Sequence, residues 1–268
     1  MRRADRRRVA PGSTAVLIGG AEEKTGERTI LREIAQRVRA ASLAICTAAS
    51  VIPDELFEVY REAFRGLSST VHIDIRTRDD ADSSTCVAAV AEAKALLFTG
   101  GDQLRITSLI GGSKLHDAVR DLYRRGGTIA GTSAGASALG HTMPMSTEAD
   151  EHKVSAAWQL VPGLGMLDGV IVDQHFAQRG RMGRLVAGVV ENPRLLGLGI
   201  DENTAVVWTR DGARVVGSGA VYVVDGRQVT RSNLGKARMH SAISAFDIRL
   251  HVLSEGDCFD IAARRPNI

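Results

Sequence analysis

A serine lies between two glycines in Gly131-Thr132-Ser133-Ala134-Gly135, the G-x-S-x-G pattern of a nucleophile elbow. Small neighbours let the chain turn sharply from a strand into a helix, so that the Ser133 hydroxyl projects above the strand end. The N–H of Ala134 then falls at the helix start, where unpaired donors and the helix dipole favour a developing oxyanion. Alone, the pentapeptide also fits a plain glycine-rich junction. Its place between the apolar run Thr128-Ile129-Ala130 and a helical stretch from Ala134 to Leu139 favours the elbow. A second stretch, Gly100-Gly101-Asp102-Gln103, closes another apolar run. Its glycines permit close backbone approach, so an N–H of Gly101 or Asp102 is a candidate second oxyanion donor. Neither G-x-x-x-x-G-K-[ST] nor G-x-G-x-x-G is present, which argues against a nucleotide phosphate site.

A serine nucleophile needs a base. Of the seven histidines, His175 ends the strand-like run Gly169 to Val172 through Asp173-Gln174, at what would be a sheet edge. His72 falls within a strand pattern and His116 on a polar helix, and His141, His152, His240 and His251 lack polar company. Either Asp201 or Glu202, which follow the apolar run Leu198-Gly199-Ile200, has the chemistry to orient His175 and stabilise its imidazolium. The residues alone leave that choice open, and a solvated turn fits the two acids equally well. Arg179, Arg181 and Arg184 follow the histidine closely; guanidinium forks suit carboxylates, and Asp173 suits a cationic group. Three arginines beside a candidate active site suggest an anionic substrate; away from such a site the run would read as a solvated helix start. No Cys/His cluster has metal-ligand spacing, so neither a metal nor a cofactor is expected.

Elements that would place these residues can be traced along the chain. Short apolar runs (Thr14–Ile18, Leu43–Thr47, Val71–Ile75, Ala95–Phe98, Thr128–Ala130) alternate with helix-period segments (Thr29–Ala40, from Pro53, Ser83–Ala93, Leu115–Arg124). Repeated strand–helix units predict a doubly wound, mainly parallel α/β sheet with helices on both faces. In such sheets, sites form beyond the carboxyl ends of the strands. After about Ile200, Ala205–Trp208, Ala213–Val216 and Ala220–Val224 read as hairpins extending that sheet in antiparallel fashion. One domain over 1–268 is expected, with 1–12 as a flexible basic leader.

Bulk composition narrows the function classes. The net charge is only +3 and aromatics are 4%, which disfavours a base-stacking nucleic-acid surface. The three cysteines, Cys46, Cys86 and Cys258, imply no disulfide framework. No apolar run approaches the ~18 residues of a membrane span, and none after the basic start is long enough for a signal peptide. A cytoplasmic protein without membrane or nucleic-acid partners is expected.

Together, Gly19-Gly20-Ala21-Glu22, Thr99-Gly100-Gly101-Asp102-Gln103, Gly131 to Ala136, Asp173-Gln174-His175-Phe176 with the following arginines, and Gly199 to Ala205 resemble the cyanophycinases in order and spacing. These belong to a serine peptidase family that also contains the α-aspartyl dipeptidases. The resemblance covers nearly the whole chain, including the tail Ala245 to Leu253. It implies a flavodoxin-like fold related to class I glutamine amidotransferases, and a Ser–His–Glu triad falling on Ser133, His175 and Glu202. Substrate-binding positions would carry over to Gln103, Asp173, Gln174, Arg179, Arg181 and Arg184. It further implies a homodimer that cleaves cyanophycin, a poly-aspartate bearing arginine on each side chain, into β-Asp-Arg dipeptides. The alternatives are an α-aspartyl dipeptidase or other small-peptide hydrolase, and a non-catalytic flavodoxin-like binding module.

Overall fold

The computed structural model describes residues 10–145, 159–234 and 241–267. The basic cluster Met1 to Arg8, His152 and His240 lie outside the described residues. Strand β1 (Thr14–Ile18) is buried at every position, as a central strand with both faces covered must be. Its side chains alternate between two cores, Ala15 and Leu17 facing one and Val16 and Ile18 the other. Helix α1 (Thr29–Val38) buries Ile30, Leu31, Ile34 and Val38, the stripe its periodicity predicts. Strand β2 (Ser42–Cys46) and α2 (Pro53–Ala63, with proline in its first turn) follow as expected. Strand β3 (Ser69–Ile73) begins two residues before the predicted Val71; it is the outermost strand, half-exposed, and its apolar signal is weak.

After a 3-10 turn at Asp79–Asp82 come α3 (Ser84–Glu92), β4 (Ala95–Phe98), α4 (Gln103–Ile110), α5 (Lys114–Arg124), β5 (Thr128–Thr132) and α6 (Ala134–Ala138). The spacing did not announce α4, because this short helix buries only Ile106 and Ile110. It is fixed instead by its cap, Asp102, whose carboxylate accepts from the Leu104 N–H at 2.8 Å. The first five strands pair in parallel in the order β1-β5-β4-β2-β3. Residues of α1 and α2 fill one core and residues of α3, α4 and α5 the other. The doubly wound α/β sheet is therefore present.

The second half builds a hairpin, β6 (Thr142–Met145) with β7 (Gln159–Pro162), and then β8 (Val170–Gln174), α7 (Met182–Glu191) and β9 (Leu196–Ile200). β10 (Thr204–Thr209) and β11 (Gly212–Gly217) form the expected antiparallel hairpin and extend the main sheet from β1. β12 (Val221–Asp225) does not continue it. Short strands β13 (Arg231–Ser232) and β14 (Ala245–Phe246) pair with each other, and β15 (Arg249–Leu253), β16 (Cys258–Asp260) and β17 (Arg265–Asn267) close the described chain. β12 pairs antiparallel with β9 and β15 in a second sheet of order β15-β12-β9-β8, while β16 and β17 finish the edge of the first. The corner lies between β9 and β10, where Asn203 adopts φ 48° and ends the strand direction. Gly217, at φ 110°, would drive a Cβ to 2.2 Å from the Asn203 carbonyl oxygen, so only glycine lets the chain return beneath that corner.

Candidate active site

Five strand ends supply the site: those of β1, β4 and β5 in the main sheet and of β8 and β9 in the second. At the end of β5, Ser133 adopts φ 52°, ψ −117°, a region non-glycine residues enter only when the surroundings force them. Both flanking glycines are required sterically. A Cβ on Gly131 would lie 2.4 Å from backbone atoms of Gly135, and one on Gly135 would lie 2.4 Å from the Phe98 carbonyl oxygen. Ser133 donates its own N–H to the Ile18 carbonyl at 3.0 Å. The N–H of Ala134, at the start of α6, has no acceptor among the described residues.

His175 follows β8 at φ 47°, and its N–H reaches the Gly19 carbonyl at 2.8 Å. Its Nε2 lies 2.9 Å from Ser133 Oγ and its Nδ1 lies 2.6 Å from Glu202 Oε1. A carboxylate only accepts, so Nδ1 carries the ring proton and Nε2 presents its lone pair to the serine. That arrangement can take the hydroxyl proton as the oxygen attacks a carbonyl. The imidazole is 12% exposed and Glu202 39%, so the chain of hydrogen bonds is sheltered at the base and open at the carboxylate. Gly20 lies against the ring: a Cβ there would fall 2.3 Å from His175 Cε1.

Two adjacent acids play different parts. Asp201 is buried and spends both oxygens on backbone, accepting from Ala177 N–H at 2.9 Å and Ala220 N–H at 3.1 Å. Glu202 faces the histidine, and its own N–H is held by the Gln178 side-chain oxygen at 3.2 Å. The sequence named the pair, and no pattern in it distinguished the two.

The other candidate residues separate into two layers. Gln174 places its Oε1 3.4 Å from Ser133 Oγ. Gln103 donates from Nε2 to the Pro144 carbonyl at 2.5 Å. Arg179 is exposed. Asp173, in contrast, is 0% exposed and is gripped by Arg184, whose Nε reaches Oδ2 at 2.6 Å and whose Nη2 reaches Oδ1. Arg181 donates to the Gln174 carbonyl at 2.7 Å and lies 3.5 Å from Asp173 Oδ1. Arg181 and Arg184 are 4% and 3% exposed, so the solvated helix start that the arginine run also suggested describes Arg179 alone.

The second oxyanion donor needs a correction. Asp102 is unavailable, because its N–H is committed to the Ala49 carbonyl at 2.9 Å while its side chain caps α4. Gly101, at φ 139°, remains a candidate; a Cβ there would lie 2.1 Å from the Ala49 carbonyl oxygen. Gly100 faces the serine: a Cβ there would lie 3.4 Å from Ser133 Cβ and 3.8 Å from its Oγ.

The Gly19-Gly20 loop after β1, which the sequence places at the same sheet edge, contributes backbone acceptors that its residues do not disclose. Three successive carbonyls, of Ile18, Gly19 and Gly20, accept the N–H groups of Ser133, His175 and Asn203 at 3.0, 2.8 and 2.9 Å. Only the glycine pair hints at them, and that fits any tight turn. Among the described residues there is no His/Cys/Asp/Glu group able to hold a metal, and no helix is long and apolar enough to cross a membrane.

The sequence model of peptidase family S51 matches residues 15–216. A curated cyanophycinase of Nostoc sp. is 38% identical over 258 residues, covering 94% of this chain and 87% of that one. Another, of Geminocystis herdmanii, is 34% identical over 262 residues, covering 95% and 96%. The crystal structure of a peptidase from an acI-B1 Actinobacterium shares the fold, with a TM-score of 0.65 at 22% identity over 88% of this chain and 99% of that one. Matched by its family across most of its length and by relatives across nearly all of it, the chain belongs to peptidase family S51 and is a serine peptidase.

Proposed function

We propose that this peptidase degrades cyanophycin as an exopeptidase, releasing β-Asp-Arg dipeptides through an acyl-enzyme on Ser133. The observation that carries the reading is the unbroken hydrogen-bond chain Ser133–His175–Glu202, at 2.9 and 2.6 Å. It is supported by relatives that bear the name cyanophycinase at 34–38% identity. In this scheme His175 Nε2 takes the proton from Ser133 as Oγ attacks an aspartyl α-carbonyl. The N–H of Ala134, joined by that of Gly101, holds the tetrahedral oxyanion. His175 then passes the proton to the leaving amine, and water attacks the acyl-enzyme with His175 again as base. Glu202 holds the imidazole in the required tautomer and stabilises its charged form.

Every unit of the polymer carries a free carboxylate and a guanidinium. Arg179 is assigned to the carboxylate, and Gln103 and Gln174 to the polar backbone. Asp173, Arg181 and Arg184 serve the substrate from behind, through the backbone they hold. The same reading has the chain act in the cytoplasm, as one hydrolase domain paired in a homodimer. Incubating insoluble cyanophycin with wild type and with Ser133→Ala tests it. β-Asp-Arg is released by the wild type and falls at least ~10³-fold in the variant, the scale of losing a triad nucleophile. Cleavage of Asp-X dipeptides with none of the polymer would overturn the substrate.

A further inference from the structure

Glu22 is a carboxylate with no place in the scheme above, yet it is among the most enclosed charges near the site. Its side chain is 0% exposed. Oε2 accepts from the Thr132 hydroxyl at 2.6 Å, Oε1 accepts from the Tyr60 hydroxyl, and the Lys24 ammonium lies 3.3 Å from Oε1. Burying a carboxylate is unfavourable unless it is paired and hydrogen-bonded, and here the donors come from three separate places: the end of β5, helix α2 and the loop after β1. Burial and the charge of Glu22 push the Tyr60 hydroxyl well above its ordinary range, which favours the protonated phenol that donates to Glu22.

The position of this cluster gives it consequence. Thr132 immediately precedes Ser133. Glu22 lies two residues beyond Gly20, the last of the three carbonyls that receive Ser133, His175 and Asn203. The loop is short: only Ala21, at φ 49°, separates Glu22 from the Gly20 carbonyl. Gly20 also touches the imidazole face. Resting on the reading of Ser133 as nucleophile, we propose that Glu22 is a positioning residue: by clasping Thr132 and Tyr60 it holds the Ile18–Gly20 spine in place, and so sets the separation of Ser133 from His175. Glu22 touches no reacting atom. It acts through the geometry of those that do, where displacement by about 1 Å costs on the order of 10²-fold in rate.

Thr132→Val tests this, because it removes the donor while keeping the shape and the β-branch. Two quantities are read on the folded enzyme: turnover with KM, and the rate at which a serine-directed fluorophosphonate labels the protein. Turnover and labelling rate are expected to fall together by roughly 10- to 10²-fold, with KM within about twofold of wild type. Thr132→Ser, which restores the hydroxyl, is expected to recover most of that loss. Glu22→Gln keeps one acceptor oxygen and is expected to fall between wild type and Thr132→Val; should it fail to fold, the threonine pair still decides. A Thr132→Val enzyme that melts earlier but labels and turns over at the wild-type rate overturns the proposal, since a purely structural contact would behave so. Ser133→Ala run alongside separates the two levels. If that variant stays active, the nucleophile assignment fails and takes this inference with it; if it is inert while Thr132→Val is fully active, only the positioning role fails.

Discussion

Ala21, Ser133, His175 and Asn203 all adopt positive φ without being glycine, and all four lie on the segments that meet at the site. Each such residue costs on the order of 1–3 kcal/mol, and such strain persists only where the surroundings over-determine it. Here the over-determination is visible as backbone hydrogen bonds from Ser133, His175 and Asn203 to the end of β1. Single atoms should therefore matter. Gly20→Ala, which would push a Cβ into the imidazole, is expected to lower kcat about 10²-fold, as steady-state kinetics with a melting curve would show. Glu202→Gln and Asp201→Asn should separate although they are adjacent. The first replaces the carboxylate with a neutral amide, whose NH2 can turn to Nδ1 and impose the wrong His175 tautomer, and is expected to lower kcat by about 10²- to 10⁴-fold with an unchanged melting temperature. The second leaves a buried backbone N–H facing a donor and is expected to lower stability by about 1–3 kcal/mol, read by denaturant unfolding. Cys46 is buried, and burial pushes its thiol up to about 12; it is expected to resist iodoacetamide in the folded protein and to react only on unfolding, as peptide mass mapping would reveal. Ser133 and His175 were legible in the sequence because each ends an apolar run. The division of labour between Asp201 and Glu202 was not, because two acids in a turn look alike until it is known which backbone amides they face.

At the scale of elements, the segment from β8 to α7 is a unit built around Asp173. Arg184 grips both oxygens of that carboxylate and Arg181 holds the Gln174 carbonyl, so the strand end and the helix start are locked together on either side of His175. Removing one partner of a buried pair leaves an uncompensated charge. Arg184→Ala is therefore expected to destabilise the protein by about 3–5 kcal/mol, read by denaturant unfolding. A loss of substrate affinity with stability unchanged would instead assign Arg184 to the substrate. Strong single-element signals were readable in advance: α1 and α5 have wide apolar stripes, and β1, β4 and β5 are buried along their length. What escaped depends on partners distant in sequence. The spacing Asp173, Arg181, Arg184 spans a turn whose shape the residues do not disclose, and α4 rests on one cap more than on its periodicity.

At the scale of the molecule, two sheets meet where Ser133 and His175 come together. β5 brings Ser133 from the parallel sheet; β8 and β9 bring His175 and Glu202 from the smaller one. β1 mediates, accepting both and pairing with β10 on its other side. Alternating strands and helices predict the first sheet, but the pattern also predicts β12 as a continuation of it, since β12 has the same texture as β10 and β11 and differs in the partner it finds after the Asn203 corner. The proposed mechanism requires Ser133 to be made nucleophilic by an imidazole that arrives from the other sheet. Fluorophosphonate labelling of the native enzyme, mapped by peptide mass, tests that most directly. The label is expected on Ser133 alone in the wild type and slower by at least ~10²-fold in His175→Ala; labelling at another residue, or at an equal rate in both proteins, would contradict it.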